Sequence, residues 1–167
     1  MHMGKYNTLL YYCYSTIEDA AQFAADHLDF CRSLQLVGRI IVADEGLNGT
    51  VSGTPEACQE YMRAVHADPR FAKTEFKIDE VEELSFLKMH CRYKPEIVHS
   101  GLRGPKMIDP NQQTGVHLEP KDFLAMKERD DVVVLDVRSN YEHSVERFKN
   151  AITLDIENFR EFPEKVK

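Results

Sequence analysis

Long hydrophobic runs are missing from this sequence, as are paired cysteines and any surplus of positive charge. Apolar runs such as Ile40-Ile41-Val42-Ala43 and Val132-Val133-Val134-Leu135 fall far short of the roughly 20 residues a helix needs to cross a bilayer. No apolar segment of the signal-peptide kind opens the chain, so nothing in the residues directs export, and a soluble, cytoplasmic protein is expected. The four cysteines, Cys13, Cys31, Cys58 and Cys91, contain no CxxC pair and read as free thiols of a reducing compartment. Cys91 with His90 and His99 comes nearest to a metal set. Adjacent ligands followed by an eight-residue gap match no common zinc template, and no metal is expected. A net charge of −7, from 21 Lys and Arg against 28 Asp and Glu, excludes indiscriminate binding to nucleic acid.

What is present is an ordinary globular balance, 43% hydrophobic and 29% charged. Tyr6 to Tyr14 is short, aromatic and apolar, which predicts a buried strand. Ser15 and Thr16 offer helix caps, and Ile17, Ala20, Ala21, Ala24, Leu28, Cys31 and Leu34 recur at helical spacing to about residue 35. Val37 to Ala43 predicts a second strand. Asp44 to Gly49 reads as a turn whose glycines take positive φ, and Thr50 to Ser52 as a third strand. Thr54-Pro55-Glu56 is a strong helix start, with Ala57, Tyr61, Met62 and Val65 on the apolar face and an end near Asp68-Pro69. Glu75 to Ile78 predicts a fourth strand, and Leu84 to Tyr93 can contain a fifth. The order β-α-β-β-α-β is the split βαβ, ferredoxin-like or acylphosphatase-like arrangement, with two helices on one face of an antiparallel sheet.

Residues 5–94 are therefore assigned to an N-terminal domain. Residues 95–117, dense in Gly and Pro, form a linker or irregular connection. Residues 118–167 open a second α/β unit: a helix from Pro120 to about Lys127, an apolar strand Val132 to Leu135 buried on both faces, a short helix over 140–145 and a strand over 150–154. Charge is unevenly spread. Residues 1–87 carry −7 and residues 107–167 carry −4, whereas residues 88–106 carry +4 from Lys88, Arg92, Lys94, Arg103 and Lys106 against Glu96. A solvated linker and an anion-binding stretch explain that segment about equally well.

Two motifs go beyond patterning. Leu135-Asp136-Val137-Arg138, Tyr141-Glu142 and Phe148-Lys149-Asn150-Ala151-Ile152 resemble the first half of a rhodanese domain. Together with Glu45-Gly46-Leu47-Asn48-Gly49-Thr50-Val51-Ser52-Gly53 and Phe159-Arg160-Glu161-Phe162-Pro163, in that order along the chain, they resemble the bacterial rhodanese-containing family of oxygen-dependent tRNA uridine-34 hydroxylases. The resemblance implies a ferredoxin-like domain followed by a rhodanese-like one, conversion of the wobble uridine to 5-hydroxyuridine, molecular oxygen as co-substrate and the tRNA anticodon region as partner. No other cofactor is identifiable. The family's reactive cysteine lies in a C-x-G-G-x-R-C type loop after the next strand, so it is expected beyond Lys167, and these residues alone are expected to be inactive. Glu146 and Arg147 stand where the rhodanese pattern usually has glycine and often has histidine.

Of the residues present, Asp136 and Arg138 are expected to support the loops around that cysteine rather than to react. Lys88, Arg92, Lys94, Arg103 and Lys106 are the candidates for RNA contact, with Tyr93 a possible stacking face that is more readily explained as a buried strand residue. Each cysteine is better explained as a buried thiol than as a nucleophile, Cys91 least securely because Lys88, Arg92 and Lys94 flank it. Glu45 and Asn48 could form a polar site, but a hairpin with positive φ at Asn and Gly explains them. A rhodanese-type sulfurtransferase and a non-catalytic binding module are the competing readings. Acylphosphatase chemistry is set aside because Tyr14 to Asp19 holds acids and no arginine where a phosphate loop would lie.

Overall fold

The computed structural model describes residues 5–102, 109, 111–112 and 114–166. The chain divides into two compact units, the first reaching Val98 and the second containing the elements from residue 120 onward. The first unit runs β1 (Tyr6–Tyr14), α1 (Ala20–Ser33), β2 (Val37–Ala43), β3 (Gly46–Gly53), α2 (Pro55–Ala67), β4 (Lys77–Val81) and β5 (Met89–Tyr93). Its sheet has the order β4-β1-β3-β2-β5. The first four strands pair antiparallel, which is the split βαβ arrangement, but β5 lies parallel to β2. The sheet is thus mixed, not wholly antiparallel. To reach that far edge, the chain after β4 must cross the sheet. Ser85 pins the crossing: its hydroxyl lies 2.6 Å from Thr8 Oγ1, and its N–H donates to Ser52 Oγ at 3.3 Å.

Alternation along the strands sends Leu9, Tyr11, Ile40, Val42, Leu47, Val51, Met89 and Cys91 into one core beneath the helices. Helix α1 contributes Ala20, Ala24, His27 and Cys31, and α2 contributes Cys58, Tyr61 and Val65. Thr54 caps α2 as its sequence indicates, accepting from the Ala57 N–H at 3.3 Å with Pro55 in the first turn. Helix α1 starts later than expected. The Ser15 and Ile17 N–H groups donate to the Glu45 and Asp44 carbonyls, both at 2.9 Å, so this stretch stays extended and Asp19 becomes the cap.

The β2–β3 hairpin also differs from expectation. Strand β3 begins at Gly46, and among the described residues positive φ falls on Gly46, Gly38, Gly101, Gln35 and Asn150, not on Asn48 or Gly49. A Cβ at Gly46 would stand 2.0 Å from the Cys13 carbonyl oxygen, so the close approach of β1 excludes every side chain there. Asn48 and Glu45 have a different task. Asn48 Nδ2 donates to the Ile97 carbonyl at 3.0 Å, and the Ile97 N–H donates to Glu45 Oε1 at 2.8 Å. Ile97 is buried, so residues 95–98 are strapped to the hairpin and do not begin a free linker.

In the second unit, α3 (Pro120–Met126), β6 (Leu135–Asp136), α4 (Asn140–Val145), β7 (Ile152–Thr153), a 3₁₀ turn at Phe159–Glu161 and α5 (Phe162–Lys165) follow in order. Strand β6 pairs in parallel with β7. The strand expected over 132–135 to be buried on both faces is not: Val133 is 72% exposed and only its end pairs, because β7 is its one described neighbour. Strand β4 likewise lies two to three residues later than the apolar pattern suggests, where its pairing with β1 sets the limits.

Two outcomes test this packing. A chain ending at Val98 is expected to unfold cooperatively, whereas one ending at Lys94 should lose about 2 kcal/mol, the burial of Ile97, in urea denaturation. Equal stability of the two would show that the strap contributes nothing. His27 lies in the core with Nε2 2.8 Å from the Tyr61 hydroxyl, which in turn bonds the Tyr11 hydroxyl, and burial lowers its pKa to about 4. Between pH 6.5 and 4 the unfolded chain binds a proton that folded His27 refuses, so stability falls with pH by up to about 3 kcal/mol and then levels off. His27→Leu should remove that part of the slope.

Candidate functional site

Three of the four cysteines are sealed in the core, while Cys13 is half-buried and its Sγ–H donates to the Tyr14 carbonyl at 3.7 Å. Cys31, Cys58 and Cys91 are buried, and burial pushes Cys31 and Cys91 up to about 12 and raises Cys58. Cys91 alternates inward on β5 while Lys88, Arg92 and Lys94 are exposed; it borders the same groove as Lys88 and Arg92, yet burial is what raises its thiol. The segment between β1 and α1 cannot cradle a phosphate either, since the Ser15 and Ile17 N–H groups are already bonded to the hairpin.

The basic candidates gather along β5, the edge strand. Lys88 and Arg92 line an open groove of about 510 Å³ with Arg32, Gln35 and His90, and Lys94 follows at the strand's end. Arg32 was not singled out from the sequence; its position in the last turn of α1 places it beside β5. Arg103 and Lys106 lie outside the described residues. Tyr93 is not the buried strand tyrosine expected: it is 44% exposed, and its hydroxyl donates to Asp44 Oδ2 at 3.4 Å.

Asp136 and Arg138 form a bidentate pair at the end of β6, with Nε to Oδ1 at 2.9 Å and Nη2 to Oδ2 at 2.8 Å. Arg138 Nη2 also donates to the Glu146 carbonyl at 2.6 Å, tying the strand end to the C-terminus of α4. The guanidinium holds the Asp136 carboxyl at about 2, so the pair stays charged at any ordinary pH. Glu146 takes an extended backbone, φ −158°, which tolerates a side chain where glycine would otherwise be usual. A small pocket of about 220 Å³ lies here between Phe123, Phe148 and residues 134–138. Among the described residues no group of three or more His, Cys, Asp or Glu could hold a metal, and no helix is long and apolar enough to cross a membrane.

Fold and loop chemistry together define an acylphosphatase-like α/β domain that lacks a phosphate cradle. Residues 6–97 match the family described as UPF0176 acylphosphatase like domain, and the chain belongs to that family. It is 61% identical over 165 residues to a tRNA uridine(34) hydroxylase of Cytophaga hutchinsonii, covering 99% of this chain and 52% of that protein. A tRNA uridine(34) hydroxylase of Bacillus cereus strain G9842 is 51% identical over 162 residues, 97% of this chain and 50% of that protein. The chain thus spans about half the length of these curated relatives. Among solved structures, the dark-state BLUF protein BlrB aligns with 55% of this chain and 73% of its own at TM-score 0.47 and 20% identity, too distant to bear on function.

Thiol chemistry gives a direct check. At pH 8 a thiol at about 12 is ionised to about one part in 10⁴, so Cys31 and Cys91 should resist iodoacetamide in the native chain and react only on unfolding. Peptide mass spectrometry that found Cys91 alkylated rapidly in the native state would reopen it as a nucleophile.

Proposed function

We propose that this chain is part of a tRNA uridine(34) hydroxylase, which converts the wobble uridine to 5-hydroxyuridine with molecular oxygen. The observation that carries the reading is 61% identity, sustained over 99% of the chain, to a protein of that name. Residues 118–167 would form the opening half of a rhodanese-like domain. The parallel β6–β7 pair with α4 between its strands supports this, as does the Asp136–Arg138 brace at the strand end where such sheets place their reactive groups. In that role Asp136 and Arg138 position a loop rather than touch substrate, and the reactive cysteine would be supplied by residues after Lys167. Lys88, Arg92, Lys94, Arg103 and Lys106 would neutralise tRNA phosphates, a reading supported by the exposure of the three described ones along one edge. Work on tRNA fits a cytoplasmic protein.

A sulfurtransferase carrying a cysteine persulfide would use the same rhodanese-like half. It gives no reason for the first unit, which holds most of the core. The two readings separate in cells that lack the gene. Nucleoside mass spectrometry should find 5-hydroxyuridine at position 34 restored by the full-length protein and not by this 167-residue chain. Full-length protein that turns over thiosulfate yet restores no 5-hydroxyuridine would overturn the hydroxylase reading.

A further inference from the structure

The sheet of the first unit buries one face beneath α1 and α2, and its other face carries a distinct set of side chains. Strand register places them in rows. Tyr12 stands opposite Asn48, which stands opposite Ile41, which stands opposite Arg92. In the next row Lys77, Leu10, Thr50, Arg39 and His90 follow one another across all five strands. Two segments cross this face: the Ser85 crossing lies over Thr8 and Ser52 at one end, and the Ile97 strap meets Asn48 within the Tyr12–Arg92 row. On this face Tyr12 is 53% exposed and Leu10 38% exposed. The Tyr14 ring meets the Tyr12 ring edge-on at 6.2 Å and props it in place.

The charge on this strip is opposite to that of the chain. Lys77, Arg39 and Arg92 are exposed, and none of their side chains forms an ion pair or hydrogen bond with a described residue. Asp79 is the one carboxylate among the strand residues of this face, against three fixed cations, in a chain of net −7. A held aromatic ring with an aliphatic neighbour, about 10 Å (two strand spacings) from Arg39 and about 14 Å (three spacings) from Arg92, suits a base on the ring and phosphates on the cations. Duplex RNA keeps its bases stacked inside and could use only the cations.

We propose that this strip binds a short single-stranded RNA segment, with one unpaired base stacked on Tyr12 and the adjoining phosphates on Arg39 and Arg92. The proposal rests on the tRNA-modifying reading for the source of the RNA, and it adds the surface and the strand state recognised. Arg92 belongs both to this strip and to the β5 groove, so the strand would leave the sheet along that edge.

Fluorescence anisotropy of the 167-residue chain with a labelled uridine-rich octanucleotide, at several salt concentrations, tests it. Tyr12→Ala is expected to weaken binding roughly 5- to 100-fold, the loss of one base–aromatic stack, while Tyr12→Phe stays within about twofold. Arg39→Ala should lower the slope of log affinity against log salt by about 0.7. Arg63→Ala, exposed on α2, should change neither. Binding that ignores Tyr12→Ala, equal competition by duplex RNA, no measurable binding, or self-association of the chain through this face would each overturn the proposal. None of these bears on the hydroxylase reading, which stands or falls on 5-hydroxyuridine formation by the full-length protein.

Discussion

The backbone contact between Gly46 and Cys13, where no side chain fits, fixes the register on which the rest of the first unit depends. From that point β1 and β3 alternate in step. Cys13, Tyr11 and Leu9 meet Leu47, Gly49 and Val51 on the helix side, and Tyr12, Leu10 and Thr8 meet Asn48, Thr50 and Ser52 on the other. A slip of one residue would exchange the two faces entirely. Gly49 serves the same register, since a Cβ there would lie 2.5 Å from the Tyr11 hydroxyl oxygen. The ring of Tyr11 occupies that space and completes the buried chain of hydroxyls through Tyr61 to His27.

Burial then sorts the chemistry. The helix-side face holds the titratable groups that the fold silences: His27 is kept neutral, and Cys31 and Cys91 are kept protonated. The opposite face holds Lys77, Arg39 and Arg92, whose side chains have no ion-pair partner among the described residues. The second unit's fixed feature is the bidentate Asp136–Arg138 pair, which ties the end of β6 to the C-terminus of α4.

How much of this was legible in the residues depends on how local the cause was. Thr54-Pro55 fixed the start of α2 because the cap and the proline act within one turn, and α4 over Asn140–Val145 was readable for the same reason. The β-α-β-β-α-β order followed from periodicity. The parallel addition of β5 did not, because it depends on a crossing held by Ser85, Thr8 and Ser52 from distant parts of the chain. The cap at Asp19 was hidden because Ser15 and Ile17 are claimed by Glu45 and Asp44, and the clasp of Glu45 and Asn48 on Ile97 was read as turn chemistry. Val132 to Leu135 looked doubly buried from composition alone, but strand burial is conferred by neighbours, and β7 is the one described. His27 went unnoticed although it falls on the stripe between Ala24 and Cys31, a spacing that could have flagged it. Arg39 was equally overlooked, since its meaning comes from the row it joins across the sheet and not from its place in β2.

Tyr11 and Tyr12 are adjacent in sequence and face opposite sides of the sheet, one buried and one exposed, and this makes them the sharpest probes of the two-faced design. With tyrosine rings isotopically labelled, NMR of the chain titrated with single-stranded RNA should shift the Tyr12 ring signals progressively and leave those of Tyr11 in place. Shifts at Tyr11 of equal size, or no shift at Tyr12 at saturating RNA, would contradict the separation of a sealed core from an RNA-contacting face.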